Sequence, residues 1–160
     1  MKKIFRVDDR LIHGQVIEGW IKYYKIKNVF IVNDRVFKDP IQTMIYKSIV
    51  PKGVDIKIFS VDEFLKFFPS SKVSDFLVLF ESVEDLIKVE PLIKEDIDLN
   101  IGCVANREHK YQISDTVFLD LNEIKELCYL RERYPITVRK LPWETSIEIM
   151  NFIKLLEEKV

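Results

Sequence analysis

Short runs of isoleucine, valine and phenylalanine recur along the chain, and most are followed by longer stretches whose apolar residues fall at helical spacing. Residues 4–7, 29–32, 54–59, 76–80 and 99–101 read as strands. After the first of them, Val16, Ile17, Trp20, Ile21 and Tyr24 repeat along one helix face, and residues 41–49, 61–68 and 83–93 keep the same period. Strands alternating with helices predict an α/β domain: an open, mostly parallel twisted sheet with helices on both faces. Further on, residues 120–133 are expected to be helical and 136–140 extended. Residues 145–158 read as a final amphipathic helix capped by Thr145 or Ser146. No repeat, linker or low-complexity tract interrupts this pattern, so residues 1–160 are expected to form a single domain.

Composition narrows the function. A chain of 160 residues, 48% hydrophobic, suffices for one substantial core. Its formal net charge of −1 provides no basic field for DNA or RNA, so no nucleic-acid partner is expected. No apolar run approaches the ~20 residues of a membrane-spanning helix. Lys2 and Lys3 precede an apolar stretch that Arg6, Asp8 and Asp9 break at once, which is not a signal-peptide core. Cys103 and Cys128 are too few and too far apart for a metal-ligand cluster, and a cytoplasmic location with both thiols reduced fits. The only glycines are Gly14, Gly19, Gly53 and Gly102. Neither the glycine-rich dinucleotide turn nor a P-loop can be built from them, so no nucleotide, metal or other cofactor is expected.

At the first turn, Asp8 to Gly14, a histidine stands among charges. Ligand sites of open parallel sheets lie at the carboxyl ends of the strands, which is where this segment falls. A phosphate on the His13 imidazole could meet the free backbone N–H groups of Gly14, Gln15 and Val16 at a helix start, with Gly14 allowing close approach. Arg10 is a candidate to clamp phosphate oxygens bidentately, and Arg6 adds charge if it points to the same side. Neutral imidazole is the nucleophile, and Asp8 or Asp9 can accept the other ring N–H; the spacing does not choose between them. Each residue also has a plainer reading. His13 or Asp9 could cap the helix, and Arg10 could be a solvated charge. Cys103, after Gly102 at a strand end, reads as an inert thiol, and His109 as part of a solvated loop. Phe64, Phe67 and Phe68 read as helix packing, and Trp143 either as core or as a contact for another subunit.

The string RVDDRLIHGQV, Arg6 to Val16, resembles the phosphorylation-site motif of the B component of the mannose/fructose/sorbose family of the bacterial phosphoenolpyruvate-dependent sugar phosphotransferase system. Weaker matches follow at Val32-Asn33-Asp34, Pro51-Lys52-Gly53-Val54, Leu79-Phe80 with Ser82 and Asp85, Asn100-Ile101-Gly102, Gln112-Ile113-Ser114 and Val138-Arg139, so the resemblance covers essentially the whole chain. It implies a phosphorelay in which a phosphorylated A component donates to His13, and His13 passes the group to a sugar delivered by the membrane C and D components. His13 is then the phosphoacceptor and Arg10 the phosphate-stabilising neighbour, with Asp8 and Asp9 in the same loop. Asn33, Asp34, Phe80 and Gly102 join Arg6, Gly14 and Gln15 as phosphate or substrate contacts. Relatives also imply self-association and a cytoplasmic protein associated peripherally with the membrane transporter. The pattern departs from the family after Gly102, where Cys103 and Val104 replace a glycine and a methionine, and at His109, where glycine is common. That departure keeps a second reading open: a stand-alone regulatory or anion-binding phosphoprotein that does not transfer to sugar. A Cys103-dependent thiol enzyme is a third.

Overall fold

The computed structural model describes residues 1–158. Strands β1 (Lys3–Asp8), β2 (Asn28–Val32), β3 (Asp55–Phe59), β4 (Phe76–Phe80), β5 (Asp98–Cys103) and β8 (Ile136–Val138) form one sheet in the order β3-β2-β4-β1-β5-β8. Every pairing in it is parallel. Strands buried on both faces need apolar residues at both parities, and β4, FLVLF, is buried at every position. Phe5, Val7, Phe30, Val32, Val78 and Phe80 face one core, under α4 (Val61–Phe67), α5 (Val83–Lys88) and α6 (Leu121–Arg133). Ile4, Val29, Ile31, Leu77 and Leu79 face the other, with Val16, Trp20 and Ile21 from the segment after β1 and Tyr46 from α3 (Pro40–Ile49). By alternation Arg6 and Asp8 share the face of Ile4.

Several expected boundaries shift for local reasons. The first helix is a single α turn, α1 (Gly14–Val16), that widens into π-helical turns over Ile17–Lys22. Gly19 lies there under Leu141, whose side chain an added Cβ would strike, and Trp20 Nε1 donates to the Lys140 carbonyl at 2.9 Å. Pro69 turns the end of α4 into a 3₁₀ turn, Phe68–Ser70, and Pro91 likewise separates α5 from a 3₁₀ turn at Glu90–Leu92, so the helix expected over 83–93 ends at Lys88. The long final helix is not formed. Ser146 Oγ accepts the Val138 N–H at 2.8 Å and the Ile147 N–H donates to the Val138 carbonyl, so 145–148 runs beside β8. Helical structure begins only at Ile149–Phe152, with Glu148 as its cap, and continues as α7 (Ile153–Glu158). A short α2 (Asp34–Phe37) and an antiparallel pair, β6 (Tyr111–Gln112) with β7 (Phe118–Leu119), were not signalled by periodicity because each spans too few residues to show one. No helix among the described residues is long and apolar enough to cross a membrane.

Candidate functional site

From β1 the chain moves outward to β2 and β3, returns in β4 beside β1, and then passes to β5 and β8 on the opposite side. The carboxyl ends of β1, β4 and β5 therefore border the crevice where connections diverge, the position that favours a ligand site in such sheets. Asp8 ends β1 there. Its carbonyl accepts the Leu11 N–H at 2.9 Å and its Oδ1 accepts the Arg10 N–H at 3.0 Å, closing a tight turn. Leu11 has φ +57, a left-handed conformation that costs a branched residue about 1–3 kcal/mol. Burial of Leu11 and Ile12 against the second core offsets that cost. The turn brings His13 back over β1, its side chain 8% exposed and its Nε2 2.8 Å from Asp8 Oδ2.

Asp8, not Asp9, is thus the partner of the ring. Asp9 does not cap the helix either. Its Oδ2 accepts the Ala105 N–H at 2.7 Å and its N–H donates to the Cys103 carbonyl, tying the turn to the segment after β5. Arg6 is fully buried, with Nη1 donating to Asn100 Oδ1 at 2.6 Å, Nη2 to Asp8 Oδ2 at 3.0 Å, and its guanidinium 4.7 Å over the Trp20 ring. The expectation of Arg6 beside phosphate differs from the structure, where both its Nη atoms bond protein groups beneath the His13 turn. Burial by itself pushes the Asp8 carboxyl up. The His13 hydrogen bond, the Arg6 and His13 charges and the Arg10 amide outweigh burial and hold it below its usual range. A carboxylate only accepts hydrogen bonds, so in the neutral ring the proton sits on His13 Nε2 and the lone pair on Nδ1, which has no protein partner among the described residues.

The remaining candidates divide by position. Arg10 is exposed, and its guanidinium makes no hydrogen bond among the described residues. Gln15 is half-buried at the start of α1. Gly14 has open space where a Cβ would stand, so the fold itself does not demand glycine there. Gly102 is required by packing, because a Cβ would fall on the Arg6 guanidinium. Phe80 is corrected to a core residue, fully buried with its ring 5.4 Å from Phe5. Asn33 is buried and occupied, its Oδ1 capping α2 through the Val36 N–H and its Nδ2 donating to Glu81. Asp34 is exposed and accepts the Val61 N–H. Neither residue contacts the His13 turn by hydrogen bond.

Cys103 is brought in by a register shift: Val7 pairs with Ile101 but Asp8 with Cys103, which skips Gly102 and puts the thiol on the Arg6 face. Burial first, then the Asp8 charge, pushes that thiol up to about 11, so it is not a nucleophile near neutrality. His109 is exposed with φ +63, the conformation glycine adopts without strain. Trp143 is 58% exposed, its ring 5.4 Å from Tyr23, which excludes the core reading. Phe64 is core, as its spacing implies. A cleft of about 540 Å³ opens at the end of β8, lined by Ser114, Thr116, Arg139, Lys140 and Glu144, and Thr116 reaches the Gly102 carbonyl at 2.7 Å. Asn100, which the sequence reading did not place in the site, joins Arg6 to Thr137 Oγ1 at 2.9 Å. Its signal was a polar residue inside an apolar strand, the same signal Arg6 shows in β1.

The fold and site together define a doubly wound α/β protein with a carboxylate-paired histidine at its switch point. Residues 2–160 match the family described as "PTS system sorbose subfamily IIB component", and the chain belongs to that family, a phosphotransferase-system component of the mannose/fructose/sorbose group. It is 35% identical over 144 residues to the sorbose-specific EIIB component of Lacticaseibacillus casei, covering 84% of this chain and 85% of that one. Against the mannose-specific EIIAB component of Escherichia coli it is 27% identical over 159 residues, covering 96% of this chain but 48% of the relative, so the chain spans about half the length of that protein. The crystal structure of manxB from Thermoanaerobacter tengcongensis superimposes with a TM-score of 0.83 at 31% identity, covering 96% of each chain.

Proposed function

We propose that His13 is a phosphoryl relay, accepting the group through Nδ1 from a phosphohistidine of an A component and passing it to a sugar presented by the membrane C and D components. The observation that carries this reading is the 2.8 Å contact of His13 Nε2 with the buried Asp8 carboxylate. Attack by Nδ1 forms its N–P bond as the donor's N–P bond breaks. The ring becomes cationic while its proton stays on Nε2, and Asp8, anchored by Arg6, compensates the charge. Arg10 is the cation free to meet the phosphoryl oxygens, with the amides that open α1 beside it. Sugar transfer reverses the N–P bond formation, and the same pair then returns the imidazole to its neutral form.

The test is incubation of the purified chain with phosphoenolpyruvate, the general phosphotransferase proteins and A components, followed by intact mass and peptide mapping in alkali. One acid-labile phosphate on His13, absent in His13→Ala, is expected. No phosphate with any active A component would overturn the relay. Restoration of sugar uptake in a strain lacking its own B component is expected for the wild-type chain alone. Phosphorylation without restored uptake would leave the regulatory phosphoprotein.

A further inference from the structure

The register shift that turns Cys103 toward Asp8 places three different metal-ligating atoms together. A carboxylate oxygen of Asp8, a ring nitrogen of His13 and the sulfur of Cys103 all lie within 4.8 Å of one another. Asp8 is fully buried and Cys103 is 8% exposed, so the three donors are fixed by packing rather than by chance on a mobile surface. Bonds of about 2.0–2.3 Å to a tetrahedral ion put neighbouring donors roughly 3.3–3.8 Å apart. Binding parts Asp8 Oδ2 from His13 Nε2, which stand 2.8 Å apart, by about 0.5 Å.

The surroundings also select the ion. Calcium and magnesium need a shell of oxygens, and only one carboxylate is available. Arg6, 3.0 Å from Asp8 Oδ2 and 3.9 Å from Cys103 Sγ, further opposes any cation held by charge alone. A thiolate-imidazole-carboxylate set with an open fourth position instead suits Zn²⁺ and similarly thiophilic ions.

We propose that Cys103 Sγ, His13 Nε2 and Asp8 Oδ2 form a Zn²⁺ site, and that the bound ion holds His13 in the tautomer that cannot accept phosphoryl. On binding, the Cys103 S–H bond breaks, its proton goes to buffer, and an S–Zn bond forms. The Nε2 lone pair binds the metal, so the ring proton moves through solvent from Nε2 to Nδ1. The six-coordinate aqueous ion loses five waters and keeps one, and nothing is oxidised or reduced. Nδ1 then carries a proton in place of its lone pair. Metal binding stands independently of the relay, whereas the block rests on His13 being the phosphoacceptor.

The experiment titrates the reduced, metal-free chain with Co²⁺ as a spectroscopic probe. A thiolate-to-cobalt charge-transfer band in the near ultraviolet, with the intense visible bands of a tetrahedral ion, is expected to saturate at one equivalent and bleach with Zn²⁺. Cys103→Ser and Cys103→Ala should lose the charge-transfer band and bind Zn²⁺ at least tenfold more weakly against a chromophoric chelator. Cys128→Ser should keep both, since that thiol lies against the Ile149 carbonyl. In the phosphorylation assay, Zn²⁺ should slow labelling of the wild-type chain at least tenfold and a zinc-selective chelator should restore it. Labelling of Cys103→Ser should proceed at the same rate with and without zinc. The absence of the band, or an equal band in both Cys103 variants, overturns the site. A normal band with zinc-insensitive labelling overturns the tautomer block. Failure of the metal-free wild-type chain to label refutes the relay instead, and the cobalt spectrum still decides the site.

Discussion

Replacing Gly102 with alanine tests whether the buried Arg6 is as tightly held as its contacts imply. The new Cβ would overlap Cζ, Nη1 and Nη2 of the Arg6 guanidinium. That group cannot retreat: the Trp20 ring lies 4.7 Å away on one side, and Asn100 and Asp8 hold the two Nη atoms at 2.6 and 3.0 Å. If β5 shifts to make room, the overpacking costs about 1–3 kcal/mol. Displacement of Arg6 would instead leave the Asp8 carboxylate buried without its cation, at a cost of about 3–5 kcal/mol. Gly102→Ala is therefore expected to lose about 1–5 kcal/mol from an unfolding free energy that is typically about 5–15 kcal/mol. Urea denaturation followed by tryptophan fluorescence measures this, with the slope compared to confirm that the same transition is seen. Gly14→Ala is the control, because its Cβ meets nothing within 4 Å, and its expected change is under about 0.5 kcal/mol. A Gly102→Ala loss below about 1 kcal/mol, with an unchanged slope, would refute the tight packing of the Arg6 layer.

Two further outcomes follow from the same geometry. Asp8→Asn removes the negative charge facing His13 Nε2, a charge-assisted bond of about 1.5–3 kcal/mol, so phosphate incorporation should slow by roughly 10- to 100-fold in protein whose circular dichroism shows it folded. An unchanged rate would remove Asp8 from the reaction. Asp85 provides a pH signature of the opposite sign to Asp8: burial, with repulsion from Asp34, Glu84 and Glu81 and against Lys88, pushes its carboxyl up to about 6 from 3.8. The folded chain thus holds this proton more tightly than the unfolded one, so the contribution is favourable below about pH 4 and is lost as pH rises through about 6. At neutral pH the ionised group costs up to about 3 kcal/mol. Asp85→Asn should stabilise the fold by about 1–3 kcal/mol at pH 7 and by nothing measurable at pH 4, as read from paired urea midpoints. An equal gain at both values would trace the effect to something other than ionisation.

The sequence by itself determined which segments form the strands of the main sheet and that His13 follows the first of them, because strand burial on both faces is written locally as apolar runs such as FLVLF. It determined equally that the first turn carries His13 among Asp8, Asp9 and Arg10, the cluster from which the family resemblance grew. One helix end was less legible at Pro91, where proline outweighed an apolar period that ran on past it. The strip of chain at 145–148 pairs with β8 instead of starting a helix, since its backbone and Ser146 find partners on Val138. Only the tertiary structure decided between Asp8 and Asp9, buried Arg6 under the site, and turned Cys103 toward it. The reason is range: Arg6 meets Asn100 across 94 residues and Asp9 meets Ala105 across 96, and local periodicity records that a residue is buried without recording against what.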